Sequence, residues 1–216
     1  MARVSNTLIG PSSGRVGNAV FSTWKGINVL KEKPASVANP NSDNQQMRRS
    51  AMSQVVSIFR QAPAAIRAGF KKLAIGKSEW NAFASNALRF AFDFSVPPTA
   101  TLVPADLLIS KGTITSSSIT LITADRSANT VVVTFPNTAA DPGQSLTDKA
   151  ILVAYNSDLD DWTGSTTSAA RSTGTASIAM PAAWAAAENI VVYLAFYNEL
   201  SQESDDSVND TAVIVA

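Results

Sequence analysis

VPPTATLVP, residues 96–104, separates two kinds of hydrophobic pattern. Upstream, apolar residues recur at helical spacing; downstream they alternate. Three prolines in nine residues interrupt either regularity, so the stretch reads as a linker. The fold class expected is α+β in two parts. An extended arm with a β-hairpin (1–41) and a short helical domain (42–95) precede the linker. An antiparallel β-sandwich of immunoglobulin or fibronectin type (105–216) follows it.

The helical part is carried by spacing. Ser42 and Gln45 form a capping-box pattern, and Met47, Ala51, Val55, Ile58 or Phe59, and Ala62 then repeat at helical intervals. Pro63 ends or kinks that helix. A second segment carries Ile66, Phe70 and Leu73, and stops near Gly76. A third opens after Ser78 and places Trp80, Phe83, Ala84, Ala87, Ala91 and Phe94 on one side.

Further upstream, Val16, Asn18, Val20, Ser22 and Trp24 share one face of an alternating run. Ile27, Val29 and Lys31 return past Lys25-Gly26, which predicts a two-stranded hairpin with a positive φ at Gly26. A lone hairpin is marginal in water and needs something to pack on. Downstream of the linker the expected strands are 107–110, 118–123, 130–135, 150–155, 166–171, 176–180, 190–197 and 211–215, with one helical turn within 181–189.

The net charge of zero conceals a division. Residues 1–100 hold thirteen bases against four acids, a net of +9, and the remainder comes to −9. This asymmetry points to an anionic partner for the first part, or to head-to-tail contact between copies. The chain has no cysteine and no histidine. That excludes a disulfide framework and thiolate chemistry, and removes the commonest general base and metal ligand. The longest apolar runs, such as 190–197, are too short to span a bilayer, and MARVSNTLIG has no signal-peptide pattern.

Few motifs suggest chemistry. Gly10, Gly14 and Gly17 lack the GK[ST] ending and the following helix of a phosphate loop. Asp158, Asp160 and Asp161 share one loop with Asn156, and Glu203, Asp205 and Asp206 lie in a second acidic run. Both are candidates for acidic docking or a weak calcium site, although the first lacks the glycine and distal glutamate of a calcium loop. No serine has a histidine to activate it. No catalytic residue, no metal site and no cofactor is expected.

GRVGNAVFSTWKGINVLKEKP, then ANPNSDNQQMRR, then KSEWNAFASNA, with Leu108-Ile109-Ser110-Lys111-Gly112 beyond them, stand in an order that resembles an uncharacterised family of Bacteroidota proteins and their phages. Arg15 stands where that pattern has lysine, and Ser42 where it has threonine. The resemblance implies an arm-and-helix region followed by a compact β domain, and a phage context; it implies no activity. The expectation is a non-enzymatic assembly protein of a virion (capsid, neck or tail) that forms homo-oligomers or joins other virion proteins. Its arm contributes Phe21, Trp24, Ile27 and Val29 as apolar anchors, with Arg15, Lys25, Lys31 and Lys33 as charge. The alternatives are a nucleic-acid-binding protein using the basic half, and an adhesion module using the sandwich loops.

Overall fold

The computed structural model describes residues 2–3, 13–36, 40–184 and 189–215. The chain divides into two compact units, Met1–Asn41 and Ser42–Ala216. It is mixed α and β, with three α-helices and four sheets among the described residues.

In the first unit, β1 (Ala2–Arg3), β2 (Gly14–Val16), β3 (Ala19–Trp24) and β4 (Ile27–Glu32) form an antiparallel sheet in the order β1-β4-β3-β2. The expected hairpin is its centre. Lys25 and Gly26, at φ 48° and 77°, both occupy the left-handed region. That twist joins two strands through a two-residue turn, and glycine adopts it without a Cβ clash. The sheet has four strands rather than two because Gly17 and Asn18 turn the chain before β3 and because β1 returns to pair with β4.

The second unit begins with α1 (Asp43–Gln61), α2 (Pro63–Gly69) and α3 (Glu79–Phe90). Met47, Ala51, Val55 and Ile58 are the buried face of α1, as their spacing predicts. Pro63 sits in the first turn of α2, where its missing N–H leaves no bond unmade. Ser78 caps α3 by accepting from Asn81 N at 3.2 Å. Ser42 occupies the cap position of α1 but makes no side-chain cap bond, so the capping box is not closed. No helix among the described residues is long and apolar enough to cross a membrane.

Residues 96–104 are not a free linker. β5 (Phe92–Asp93) pairs with β6 (Thr101–Leu102), Val103 N donates to Ala91 O at 2.9 Å, and Gln54 Nε2 donates to Ala100 O at 3.0 Å. The stretch is strapped across α1 and the end of α3. Helices and strands share one compact unit, Ser42–Ala216.

One sheet runs in the order β11-β8-β7-β14, from β7 (Leu121–Asp125), β8 (Thr130–Thr134), β11 (Thr175–Ala179) and β14 (Val213–Val215). The other has the order β10-β9-β12-β13, from β9 (Lys149–Asn156), β10 (Asp161–Ala170), β12 (Ile190–Tyr197) and β13 (Val208–Thr211). All pairs are antiparallel except β14 with β7. Ala150, Leu152, Ala154, Val192, Leu194 and Phe196 pack against Ile122, Val131, Val133 and Ile178 of the first sheet. The intervening residues Ile151, Val153, Tyr155, Tyr193 and Ala195 pack against the helices. The β9–β12 sheet is thus the middle of three layers. Trp162 stacks between Tyr155 and Tyr193, at centroid distances of 4.2 and 5.8 Å, and its backbone N–H donates to Gln61 Oε1 of α1 at 2.8 Å.

The segment 107–110, expected as a strand, is instead a knot. Lys111 N and Ser204 Oγ donate to Gly69 O, at 3.0 and 2.8 Å, at the C-terminal end of α2, and Ser110 Oγ, beside that carbonyl at 3.2 Å, donates to Asp205 O at 2.6 Å. Helix ends leave carbonyls without intrahelical partners, and two donors converge on this one. A Cβ at Gly112 would fall 1.6 Å from Ser204 O, and one at Gly69 2.7 Å from Ser110 Cβ. In the expected 181–189 turn, Ala182–Trp184 is a single 3₁₀ turn, and residues 185–188 lie outside the described residues.

Gly112→Ala is expected to destabilise the protein by about 3 kcal/mol or more, since the obstacle is backbone and cannot rotate aside. Exposed Thr113→Ala should stay within about 0.5 kcal/mol of the parent. Thermal or urea unfolding of the two variants checks this; equal midpoints would refute the knot.

Candidate assembly surface

Register sorts the arm residues onto two faces. Arg15 opposes Val20, which opposes Lys31, and Ser22 opposes Val29. With Ile27, these make a face of apolar residues flanked by bases. Phe21 lies opposite Leu30, and Val16 opposite Ala19, on the other face beside Glu32. The anchors are therefore divided: Ile27 and Val29 on the basic face, Phe21 on the second. Val16 departs from the shared face expected for it, because the Gly17–Asn18 turn places it in a separate strand. Lys25 lies in the turn, and Lys33 follows β4 with its N–H donated to Asn18 O at 2.8 Å. Trp24 is placed by register opposite Ile27. Residues 10–12, and with them Gly10, lie outside the described residues.

None of the described side chains of this sheet is buried. Val20, Phe21, Ile27, Val29 and Leu30 are half-buried, and Val16 is 71% exposed. Apolar groups on both faces without a core is an arrangement that isolated sheets do not sustain well in water. Met1–Asn41 carries five bases and one acid, Arg15, Lys25, Lys31 and Lys33 among them.

The two acidic candidates have structural employment. In the β9–β10 turn, Asn156 Oδ1 accepts from Asp158 N and Leu159 N. Asp158 accepts from the Asn189 backbone and side chain, Asp160 from Tyr155 OH at 3.1 Å, and Asp161 from Trp184 Nε1 at 2.8 Å. Three carboxylates so engaged diverge, and no group of three acids able to hold a metal occurs among the described residues.

The second acidic run is partly drawn into the body. Ser204 and Asp205 bridge to Tyr197 and Ile114, which draws this segment into the body. Glu203 pairs with Lys72 at 3.3 Å, Asp206 accepts from Gly112 N at 3.0 Å, and Asp205 is 1% exposed.

Asp205 belongs to a buried polar cluster that sequence reasoning missed. Arg171, at the end of β10, is 1% exposed. Its Nε lies 3.6 Å from Asp148 Oδ2, its Nη1 donates to Ser117 Oγ, and its guanidinium carbon sits 4.0 Å from the centre of the Phe196 ring. Asp148 also accepts from Ser145 N at 2.7 Å and Asn198 Nδ2 at 2.9 Å. Burial lowers the Arg171 pKa, and the charges of Asp148, Asp205 and Asp141 oppose that shift. Burial pushes Asp205 up to about 7, against the Phe196 N–H it accepts at 2.6 Å and the charge of Arg171. The only sequence signal was that Arg171 is one of four bases among thirteen acids after residue 100.

Three bases of the helical part lie beside aromatic rings. Arg48, Arg67 and Arg89 lie over Phe94, Phe59 and Phe90, at 3.9, 5.7 and 5.2 Å from the ring centres. A cleft of about 490 Å³ beside α2 is lined by both Arg67 and Lys71 and by Glu79 and Glu199. Glu199 is held there by Lys149 at 2.6 Å.

A family model described as a family of unknown function, DUF6266, matches residues 11–210. The chain belongs to DUF6266. No curated protein and no solved structure shows significant similarity to it. The match runs through both the arm and the body, so this DUF6266 member carries the two units as one family unit.

Because folded Asp205 holds its proton to about pH 7 while the unfolded chain releases it near 3.8, its contribution is full below pH 4. That contribution is lost as pH rises through 7. Asp205→Asn keeps an oxygen for the Phe196 N–H without the charge. Relative to this variant, the parent is expected to lose stability steadily between pH 4 and 7 in urea titrations; parallel curves would show that Asp205 does not titrate in the fold.

Proposed function

We propose that this DUF6266 member is a structural assembly protein without catalytic activity, which joins copies through its N-terminal arm. The observation that carries the reading is the first unit itself. It presents apolar side chains on both faces of a small sheet, buries none of those described, and carries five bases to one acid. Docked on a neighbour, Val20, Ile27 and Val29 supply the apolar contact, while Arg15 and Lys31 meet acids of the partner's β layers, whose part of the chain (101–216) has a net charge of −9. A few buried apolar anchors dominate the energy of such contacts, and charge sets approach and register. An arm that grips the next copy makes a head-to-tail contact, which closes into a ring or continues as a filament.

We read the two facing β layers as an immunoglobulin-like sandwich and the setting as a phage particle, in the shell, neck or tail. The first rests on the shared core between the sheets. The second rests on the motif order described above. The absence of histidine and cysteine from the whole sequence supports a role other than catalysis.

Light scattering on nuclease-treated protein at low and high salt tests the reading. The parent is expected to form large species that salt weakens, and deletion of residues 1–33 to abolish those large species. Trp24→Ala should reproduce the deletion. A parent that forms nothing larger than a dimer at every salt concentration refutes arm-driven assembly, and mass that depends on nucleic acid favours the basic half as a phosphate binder.

A further inference from the structure

One sheet of the body ends at β11, and among the described residues no strand pairs with its far side. The hydrogen bonds show which groups look outward. Phe135 N donates to Gly174 O at 2.9 Å, and Met180 N to Asn129 O at 2.7 Å. Residues exchanging bonds across an antiparallel pair recur every second position, so Ala176 and Ile178 make the bonds to Val133 and Val131. The amides and carbonyls of Thr175, Ser177 and Ala179 therefore face away from β8. Their side chains are exposed, whereas Ala176 and Ile178 point into the core. Thr175 O already accepts from Thr173 Oγ1 at 2.8 Å and retains a second lone pair.

Along this edge run two adjoining clefts of about 360 and 250 Å³. Residues 163–169 of β10, itself the last strand of its sheet, line one side, and residues 175–179 the other. Neither stretch holds a charge or a proline. Edges kept from pairing normally carry one or the other. Arg15 lies on the arm's edge strand β2, and Asp210 on the edge strand β13. β11 has no such guard.

We propose that β11 docks on the β11 of a second copy, the two strands pairing antiparallel about a two-fold axis through Ser177. The register follows from the outward groups. Ser177 meets its own counterpart, and Thr175 meets Ala179, so each outward amide finds a carbonyl. On a two-fold axis through Ser177 a charge at that position would meet its own copy, which destabilises a strand pair. TASIA contains none. The small exposed Thr175, Ser177 and Ala179 side chains leave the approach clear, and the two sheets merge into one continuous sheet of eight strands. This contact is independent of the arm.

The chain has no cysteine, which makes single-cysteine crosslinking in the full-length protein decisive. Directly opposed residues have Cα atoms about 5.5 Å apart, within reach of a disulfide. Under mild oxidation, Ser177→Cys is expected to form a covalent dimer about ten times faster than Ser127→Cys, which is exposed in the β7–β8 turn. Ala179→Cys should lag behind Ser177→Cys, because it faces Thr175 rather than itself. Adding Trp24→Ala should leave the Ser177 crosslink intact, so that failure of the arm reading is distinguishable from failure of this one. In the Trp24→Ala background, Ser177→Lys, a change at an exposed site, should halve the mass of the pair in sedimentation. Crosslinking at Ser177 no faster than at Ser127, or mass unchanged by Ser177→Lys, overturns the proposal.

Discussion

Burying both faces of β9 and β12 is the constraint from which the body follows. A strand with a wet side can alternate polar and apolar residues; one covered on both sides cannot. AILVAY and IVVYLAFY meet that requirement with unbroken apolar runs, Ala150 to Tyr155 and Ile190 to Tyr197. The helices cover one face and the second sheet the other. The phenol groups in the helix-facing layer need partners: Tyr193 OH donates to Pro104 O at 2.8 Å, and Tyr155 OH to Asp160 at 3.1 Å. Those bonds tie the strap after α3 and the β9–β10 turn to the same middle layer.

Much of this was legible in the residues. The face of α1 could be read from the spacing of Met47, Ala51, Val55 and Ile58, because one helix face against one core leaves a simple period. The Lys25-Gly26 turn was legible because its backbone demands are local. The third layer was present in the missing alternation of β9 and β12, but a short apolar run does not say what covers it. β1 and the Gly69 knot could not be read, since both depend on partners far along the chain. The acids of 203–206 look alike in sequence. Only the bridge from Ile114 to Asp205 decides that Asp205 turns inward while Glu203 reaches Lys72.

The interior ion cluster and the arm use charge in opposite ways. Around Arg171, charge is sealed from water beside Asp148 and Phe196, where removing one partner would strand the other. On the arm, Arg15 and Lys31 remain at the surface, where attraction acts over about a Debye length and weakens with salt. The first arrangement fixes the position of internal segments. The second can guide an approaching neighbour.

The Gly69–Ser204 bond spans 135 positions of the chain. During synthesis the helices leave the ribosome well before Ser204 exists, so the carbonyl at the end of α2 must wait for one of its donors. The middle sheet is likewise incomplete until β12 emerges, although β9 lies forty positions earlier. Closure of the body is therefore a late, long-range event, and chains rich in such contacts fold slowly. The arm's β2–β4 ladder is complete by residue 32. Under the proposed arm-driven assembly, neighbouring nascent chains on a polysome would present their arms to one another while their bodies are still open, so the order of emergence would bear on which surfaces meet first.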